Sequence, residues 1–292
     1  MRIIVVVGPT ASGKSDLAIR LAKKYNGEII SADSRQVYRG MDIGTGKVTK
    51  KEQKLVRHHL IDVADPRKDF NVDDFKKLAQ KNLANIISRG KLPIIVGGTG
   101  HYVDTLVYNL KFPSVPPDKR LRRKLDKKSA EELFAELQKL DPERAETIEP
   151  KNKRRLIRAL EIIKHLGKVP KLEKRKYRYN AFWIGIKLSK EELEKRIIKR
   201  VEKRLKDGAL EEVKELIAKG VSKKRIYNFG LGYRAMIRFV NKEIGRKEMT
   251  QEFIRSEIQY SKRQMTWFKR NKDINWIPDV KKLPPIRWRE SG

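Results

Sequence analysis

"GPTASGKS", residues 8–15, is the stretch from which the rest of this chain is read. It has the pattern Gly-x-x-x-x-Gly-Lys-Ser. It follows the apolar run "IIVVV" (Ile3 to Val7) and precedes "DLAIRLAKKY" (residues 16–25). A strand, a glycine loop and a helix in that order make a phosphate cradle. The loop amides point at an anion, Lys14 adds a point charge, and the Ser15 hydroxyl can ligate Mg²⁺. The residues expected to hold the phosphates are Gly8, Pro9, Thr10, Ala11, Ser12, Gly13, Lys14 and Ser15. Such a loop sees only phosphates, so which polyphosphate it holds must be argued from other residues.

Outward from this loop, the first 112 residues alternate strand and helix. Ile3 to Val7, Glu28 to Ala32, His58 to Val63 and Leu92 to Gly98 read as strands, the first and last as buried parallel ones. Between the last two lies a helix with Phe75, Leu78 and Ile86 on one stripe, Asp73 and Asp74 in its first turn, and Gly90 just past its end. The alternation predicts a parallel sheet covered on both faces. The proline-rich "KFPSVPP" (Lys111 to Pro117) then marks a linker. Only helical patterns follow, to about Arg175. One starts at a Ser129/Glu132 capping-box spacing; another carries Leu156, Leu160 and Ile163 on one face and stops at Gly167. "AFWIGIKL" (Ala181 to Leu188) is again strand-like and can rejoin the sheet. The helix after it caps at Ser189 and spaces Leu193, Ile197, Val201 and Leu205 four apart. The expected architecture is an α/β fold, a parallel sheet flanked by helices. Residues 1–112 and 177–292 form the core, and residues 113–176 an inserted all-helical domain.

In open parallel sheets, sites lie at the carboxyl ends of strands. The phosphate loop, "DSRQVYRGMDIGT" (Asp33 to Thr45) and "GGTGHYV" (Gly97 to Val103) all leave strands there, which brings Asp33 and Thr99 near whatever Lys14 holds. Asp33 has three readings: a helix cap, a general base, or a Mg²⁺ holder acting through water. Thr99, between two glycines, is either part of a tight turn or placed for close approach to a reacting group. Arg35, Gln36 and Tyr38 are types that read a base. In "SKRQMTWFKRN" (Ser261 to Asn271), Lys262, Arg263, Lys269 and Arg270 can neutralise phosphates, and Trp267 is either core or a stacking platform. Arg154, Arg155 and Arg158 make a further basic cluster, either an RNA contact or a solvated face.

The chain has 292 residues, with 70 Lys and Arg against 37 Asp and Glu, a net charge of +33. A charge-rich surface explains many charges of both signs but not a two-to-one bias toward positive, which points to a polyanion, nucleic acid before membrane. The absence of cysteine excludes disulfides, thiolate zinc sites and cysteine nucleophiles, and the four histidines lack metal-ligand spacing. The N-terminus enters a strand at once, with no cleavable signal pattern, and no apolar run approaches a membrane span. A soluble, cytoplasmic protein with no membrane partner is expected. It is expected to be a monomer, since no apolar surface helix stands out.

"GPTASGKS", "SADSRQVYRGMDIGT", "HHLIDV", "VGGTGHYV", "NKRRLIRALE", "GLGYRAM" and "KRQMTWFKRN" come in an order and spacing that resemble the tRNA dimethylallyltransferase (tRNA isopentenyltransferase) family, from residue 2 to about 271. The resemblance implies a P-loop NTPase-like core with an inserted helical tRNA-binding domain. It implies transfer of a dimethylallyl group from dimethylallyl pyrophosphate to N6 of adenosine 37, beside the anticodon of tRNA, with Mg²⁺ as cofactor. It also implies Asp33 as general base, Thr99 as an assistant, and Arg122 near the pyrophosphate. Asp33, Ser34, Arg35 and Gln36, and the stretch Arg154, Arg155, Leu156, Ile157 and Arg158, would contact the anticodon stem-loop. The chain departs from the family's usual pattern at Arg154 (glutamine), His101 (leucine) and Gly46 (alanine). The chemistry suits the residues: a carboxylate can take the proton of a poorly nucleophilic exocyclic amine, and loop amides, Lys14 and Mg²⁺ can stabilise a departing pyrophosphate.

The main rival is a P-loop kinase or ATPase acting on RNA or a nucleoside, sharing Lys14 and Ser15. A regulatory GTPase is disfavoured, because no Asn-Lys-x-Asp follows an apolar strand. A non-catalytic RNA-binding protein accounts for the charge but leaves Asp33 and Thr99 unused.

Overall fold

The computed structural model describes residues 1–171, 177–280, 285–286 and 288. The described chain divides into two compact units, residues 1–109 with 176–292, and residues 110–175. The expected helical domain was bounded at 113–176.

The larger unit begins β1 (Arg2–Val7), α1 (Lys14–Lys24), β2 (Gly27–Ser31), α2 (Lys50–Leu55), β3 (His58–His59), α3 (Val72–Ser88), β4 (Leu92–Val96) and α4 (Gly100–Val107). The smaller unit holds α5 (Lys119–Leu125), α6 (Ala130–Leu140), α7 (Pro142–Thr147) and α8 (Lys153–Leu166). The chain then returns as β5 (Asn180–Ile186), α9 (Lys190–Lys206), α10 (Ala209–Ala218), α11 (Lys223–Phe229), α12 (Leu231–Val240), α13 (Arg246–Phe268) and β6 (Ile274–Ile277).

The six strands form one parallel sheet in the order β3-β2-β4-β1-β5-β6. β1 lies near its middle, and five of its six residues are buried, which is why its sequence is an unbroken apolar run. Side chains alternate across the pleat. Ile3, Val5 and Val7 pack with Phe75, Ala79 and Leu83 of α3 on one face, and Ile4 and Val6 pack with Leu17, Ala18 and Leu21 of α1 on the other. The returning strand β5 pairs with β1 from Arg2↔Asn180 to Val7↔Gly185, as its apolar composition predicted. A further cluster gathers α9 to α13 around Val37, Tyr38 and Met41, so these helices cover the loop that leaves β2.

The caps read from sequence form: Ser129 opens α6 in a full capping box, and Ser189 accepts the Glu192 amide at α9; Asn71, which the sequence reading did not single out, opens α3 in a capping box as well. Two expectations need correction. The strand expected over His58–Val63 ends after two residues, because Leu60 and Asp62 take left-handed φ values of 63° and 58° and turn the chain out of the sheet. The edge strand β6 lies where the sequence reading placed no element; its four residues are too short a run for a clear period.

In the smaller unit, Leu133, Leu137, Leu156, Leu160 and Ile163 form the core. Glu161 is fully buried there, bonded by Arg122 and Arg158 and by the Asp118 amide. Burial pushes its carboxyl up, but those donors outweigh it and hold the group below its ordinary value.

Candidate active site

A cavity of about 500 Å³ opens in the larger unit at the carboxyl ends of β1, β2 and β4. Residues 10–16 form one wall. Gly8 and Gly13 carry φ values of 147° and 91°, which an L side chain rarely adopts, so the loop can fold tightly over β1. Gly13 caps α1 with no side-chain hydrogen bond, which leaves the helix's first amides open to an anion. Ser12 is fully buried on the cavity wall, and among the described residues its hydroxyl has no partner. Among the same residues Lys14 Nζ is hydrogen-bonded only to the Pro9 carbonyl, at 2.5 Å. Burial and the neighbouring Arg200 pull its ammonium down to about 7, against the opposing charges of Asp33 and Glu257. A desolvated cation and an unsatisfied buried hydroxyl on one wall suit an anionic ligand.

Asp33 lies on the same cavity, and its charge reaches both Lys14 and Arg200. Its Oδ1 accepts the Arg35 and Gln36 amides at 2.8 and 3.2 Å, so it closes a turn and not a helix, the next helix beginning at Lys50. Among the described residues no hydrogen bond reaches Oδ2, so the carboxylate also keeps an oxygen for chemistry. Thr99 Oγ1 accepts the Ser34 amide at 3.0 Å and donates to Ser34 Oγ at 3.3 Å. The loops after β2 and β4 are thereby joined, as their shared sheet edge predicted. Gln36 lines the cavity, and Arg35 lies over the Phe229 ring. Tyr38, expected among the base readers, is 4 % exposed and packs on Phe229, so its ring belongs to the core.

The sequence reading missed much of the opposite wall, which comes from α9 and α13. Arg200 sends Nη1 to Thr10 Oγ1 at 3.4 Å and Nη2 to the Gly46 carbonyl at 3.1 Å. Burial and Arg204 pull its guanidinium down to about 10, so it stays charged at neutral pH. Gln264 accepts the Thr10 amide at 2.7 Å and donates to the Gly98 carbonyl at 3.0 Å, clasping two loops at once. Tyr260 lines the same wall, and burial pushes its phenol up to about 12. A signal was present: Arg196, Arg200 and Arg204 form a row every fourth residue, beside the apolar row that identified the helix. On the far side, Glu212 accepts the amides of Asp42, Ile43 and Gly44 and the Tyr233 hydroxyl, pinning the segment that carries Thr45 and Gly46.

The remaining expected contacts lie in the smaller unit. Arg122 is bonded to Glu161 through Nε and Nη2. Arg158 is bonded to Glu161 and to the Val115 carbonyl. Arg154 and Arg155 are exposed, Arg155 within 3.8 Å of Glu149. The expectation of tRNA contact by the side chains of Leu156 and Ile157 is corrected: they are 0 % and 8 % exposed and pack into the core of their unit. Trp267 resolves toward the structural reading, since its indole N–H donates to Asp104 at 2.9 Å and its ring abuts Gly100.

Among the described residues, no group of three His, Cys, Asp or Glu side chains is placed to hold a metal. The cavity offers instead the Ser15 hydroxyl and the Asp33 carboxylate. That donor set suits a magnesium ion that arrives on phosphate oxygens and keeps several waters. No helix among the described residues is long and apolar enough to cross a membrane.

A family model described as IPP transferase matches residues 36–271. The chain is 41% identical to a tRNA dimethylallyltransferase of Pelotomaculum thermopropionicum, over 94% of this chain and 90% of the relative. It is 43% identical to that of Acetivibrio thermocellus, over 94% and 91%. A full-length tRNA isopentenylpyrophosphate transferase from Bacillus halodurans superposes with a TM-score of 0.72 at 38% identity, covering 95% of this chain and 89% of the other. A eukaryotic dimethylallyltransferase acting on tRNA gives a TM-score of 0.81 at 27% identity, over 95% and 73%. The chain belongs to the IPP transferase family.

Proposed function

We propose that this member of the IPP transferase family transfers a dimethylallyl group from dimethylallyl pyrophosphate to N6 of adenosine 37 of tRNA, giving N6-isopentenyladenosine beside the anticodon. The carrying observation is one cavity lined both by a desolvated cation cluster and by a carboxylate with an uncommitted oxygen.

The loop amides, the Ser12 hydroxyl, Lys14 and Arg200 bind the donor's two phosphates. Val96, Phe229 and Tyr233 offer apolar surface on the same cavity for the hydrocarbon. Asp33 takes the N6 proton as nitrogen bonds to the allylic carbon. The carbon–oxygen bond breaks with its electron pair going to pyrophosphate, and the cations hold the charge that collects there. A magnesium ion bound at Ser15 would neutralise part of that charge. Thr99 fixes the Ser34 amide and with it the turn that carries Asp33, while Arg35 and Gln36 meet the target base. The base has to leave its stack to enter, at a cost of a few kcal/mol, which phosphate contacts by Arg154, Arg155 and the basic surface offset. Arg122, the further residue proposed to serve the pyrophosphate, spends Nε and Nη2 on Glu161 and keeps Nη1. The enzyme is proposed to act as a monomer, in the cytoplasm with the tRNA pool.

The test is incubation with tRNA and either labelled dimethylallyl pyrophosphate or labelled ATP. Label from the first should enter tRNA at adenosine 37. Transfer from ATP alone would support the kinase reading instead.

A further inference from the structure

Arg204 and Glu257 belong to no motif, yet both are 5 % exposed and face each other at 3.2 Å on the wall of the cavity. We propose that this ion pair, seated against the side-chain-free Gly46, positions Arg200 over the site of the leaving pyrophosphate. The proposal rests on the transfer reading above for the identity of the anion.

A buried ion pair is costly unless its remaining groups are bonded. Here they are used to join four segments. Glu257 on α13 accepts the Thr10 hydroxyl of the phosphate loop at 3.2 Å, and Arg204 on α9 donates Nη2 to the Thr45 carbonyl at 3.1 Å. Arg200, one turn earlier, is bonded to the same two segments, through Thr10 Oγ1 and the Gly46 carbonyl. The two arginines therefore divide neighbouring acceptors between them. Arg204 takes the carboxylate and Arg200 is left with neutral groups, one of them at 3.4 Å. A guanidinium held by weak neutral acceptors can transfer to a phosphate at little cost; one bound to a carboxylate cannot.

Gly46 sets the lateral fit. Its φ is 60°, and a Cβ built there would overlap guanidinium nitrogens of both Arg200 and Arg204. The space beside Arg200 holds the Arg204 guanidinium or a side chain at position 46, but not both. Arg204 Nε has no hydrogen-bond partner, consistent with an arginine placed by its ends rather than by full solvation of its head group. The electrostatics agree: Arg204 is the main charge lowering the Arg200 pKa, and Glu257 opposes it. The pair thus acts on the anion through Arg200, and both its members line the same cavity.

The experiment is calorimetric titration of the full chain with inorganic pyrophosphate and magnesium chloride, which needs no catalytic turnover. The double variant Arg204→Met/Glu257→Gln removes both charges together. It should bind pyrophosphate about tenfold more weakly, the size of one charge-assisted hydrogen bond misplaced. In an Arg200→Ala background the same double variant should cause no further loss, because its effect passes through Arg200. Equal losses in both backgrounds, or none in either, would overturn the proposal. Gly46→Ala should weaken pyrophosphate binding to a similar degree, and combining it with Arg204→Met/Glu257→Gln should cause no further loss, because both changes misplace the same Arg200. Losses that add in the combination also overturn it. If the unmodified chain binds pyrophosphate but never labels tRNA from dimethylallyl pyrophosphate, the transfer reading fails while the positioning result still stands on its own.

Discussion

Thr99 Oγ1 accepts the backbone N–H of Ser34 at 3.0 Å, across 65 residues of sequence. One side chain thus ties the turn that holds Asp33 to the loop after β4. Thr99→Val keeps the shape and removes the acceptor. We expect single-turnover transfer to fall by about tenfold or more, with a smaller loss for Thr99→Ser, which keeps the hydroxyl. Equal rates for Val and Ser would separate Thr99 from the chemistry.

Asp33→Asn preserves the acceptor for the Arg35 and Gln36 amides and removes the base. The melting temperature should be unchanged and the chemical step slowed by roughly 10²- to 10⁴-fold. Repeating the assay over a magnesium series separates two roles. Recovery at high magnesium would make Asp33 a metal ligand, and a magnesium-independent loss makes it the base.

Lys14→Ala should abolish prenyl transfer while tRNA still binds, because the lysine faces the phosphate loop and not the RNA. Filter binding beside a transfer assay checks this. Lost tRNA affinity with intact chemistry would refute the assignment.

Binding of tRNA should weaken steeply with salt if the +33 charge serves RNA. A log–log slope of about −4 or steeper corresponds to about five phosphates neutralised. Arg155→Ala, at an exposed side chain, should flatten the slope by about one. Leu156→Ala, beside it but buried, should instead cost about 2–5 kcal/mol of stability, read by denaturant titration, with the slope of the folded fraction unchanged.

Acid should reveal a separate, structural carboxylate. Glu28 is buried, bonded twice by Arg89 and once by His59, and these donors lower its pKa to about 2 from 4.5 against the opposing effect of burial. The folded value lies below the unfolded one, so the stabilisation is fully present above pH 4.5 and is lost as pH falls toward 2. Glu28→Gln should be less stable at neutral pH and lose less stability than the parent between those limits, measured by urea midpoints.

Part of this protein was legible in the sequence because it is local. The phosphate loop, the buried runs of β1 and β4, and the caps at Ser129 and Ser189 depend on residues a few positions apart, whose spacing fixes backbone geometry directly. Asp33 and Thr99 were also within reach, since the carboxyl end of a parallel strand has one location in the sheet. The opposite wall of the cavity was not. Thr10 meets Gln264 across 254 residues, and Arg204 meets Glu257 across 53. Whether those groups face a cavity depends on how α9 and α13 pack, and a helix's periodicity reveals which side is apolar but not what its polar side will meet. For the same reason Tyr38, Leu156 and Ile157 read as binding residues and proved to be core. Burial is a property of packed neighbours, and only the tertiary structure supplied them.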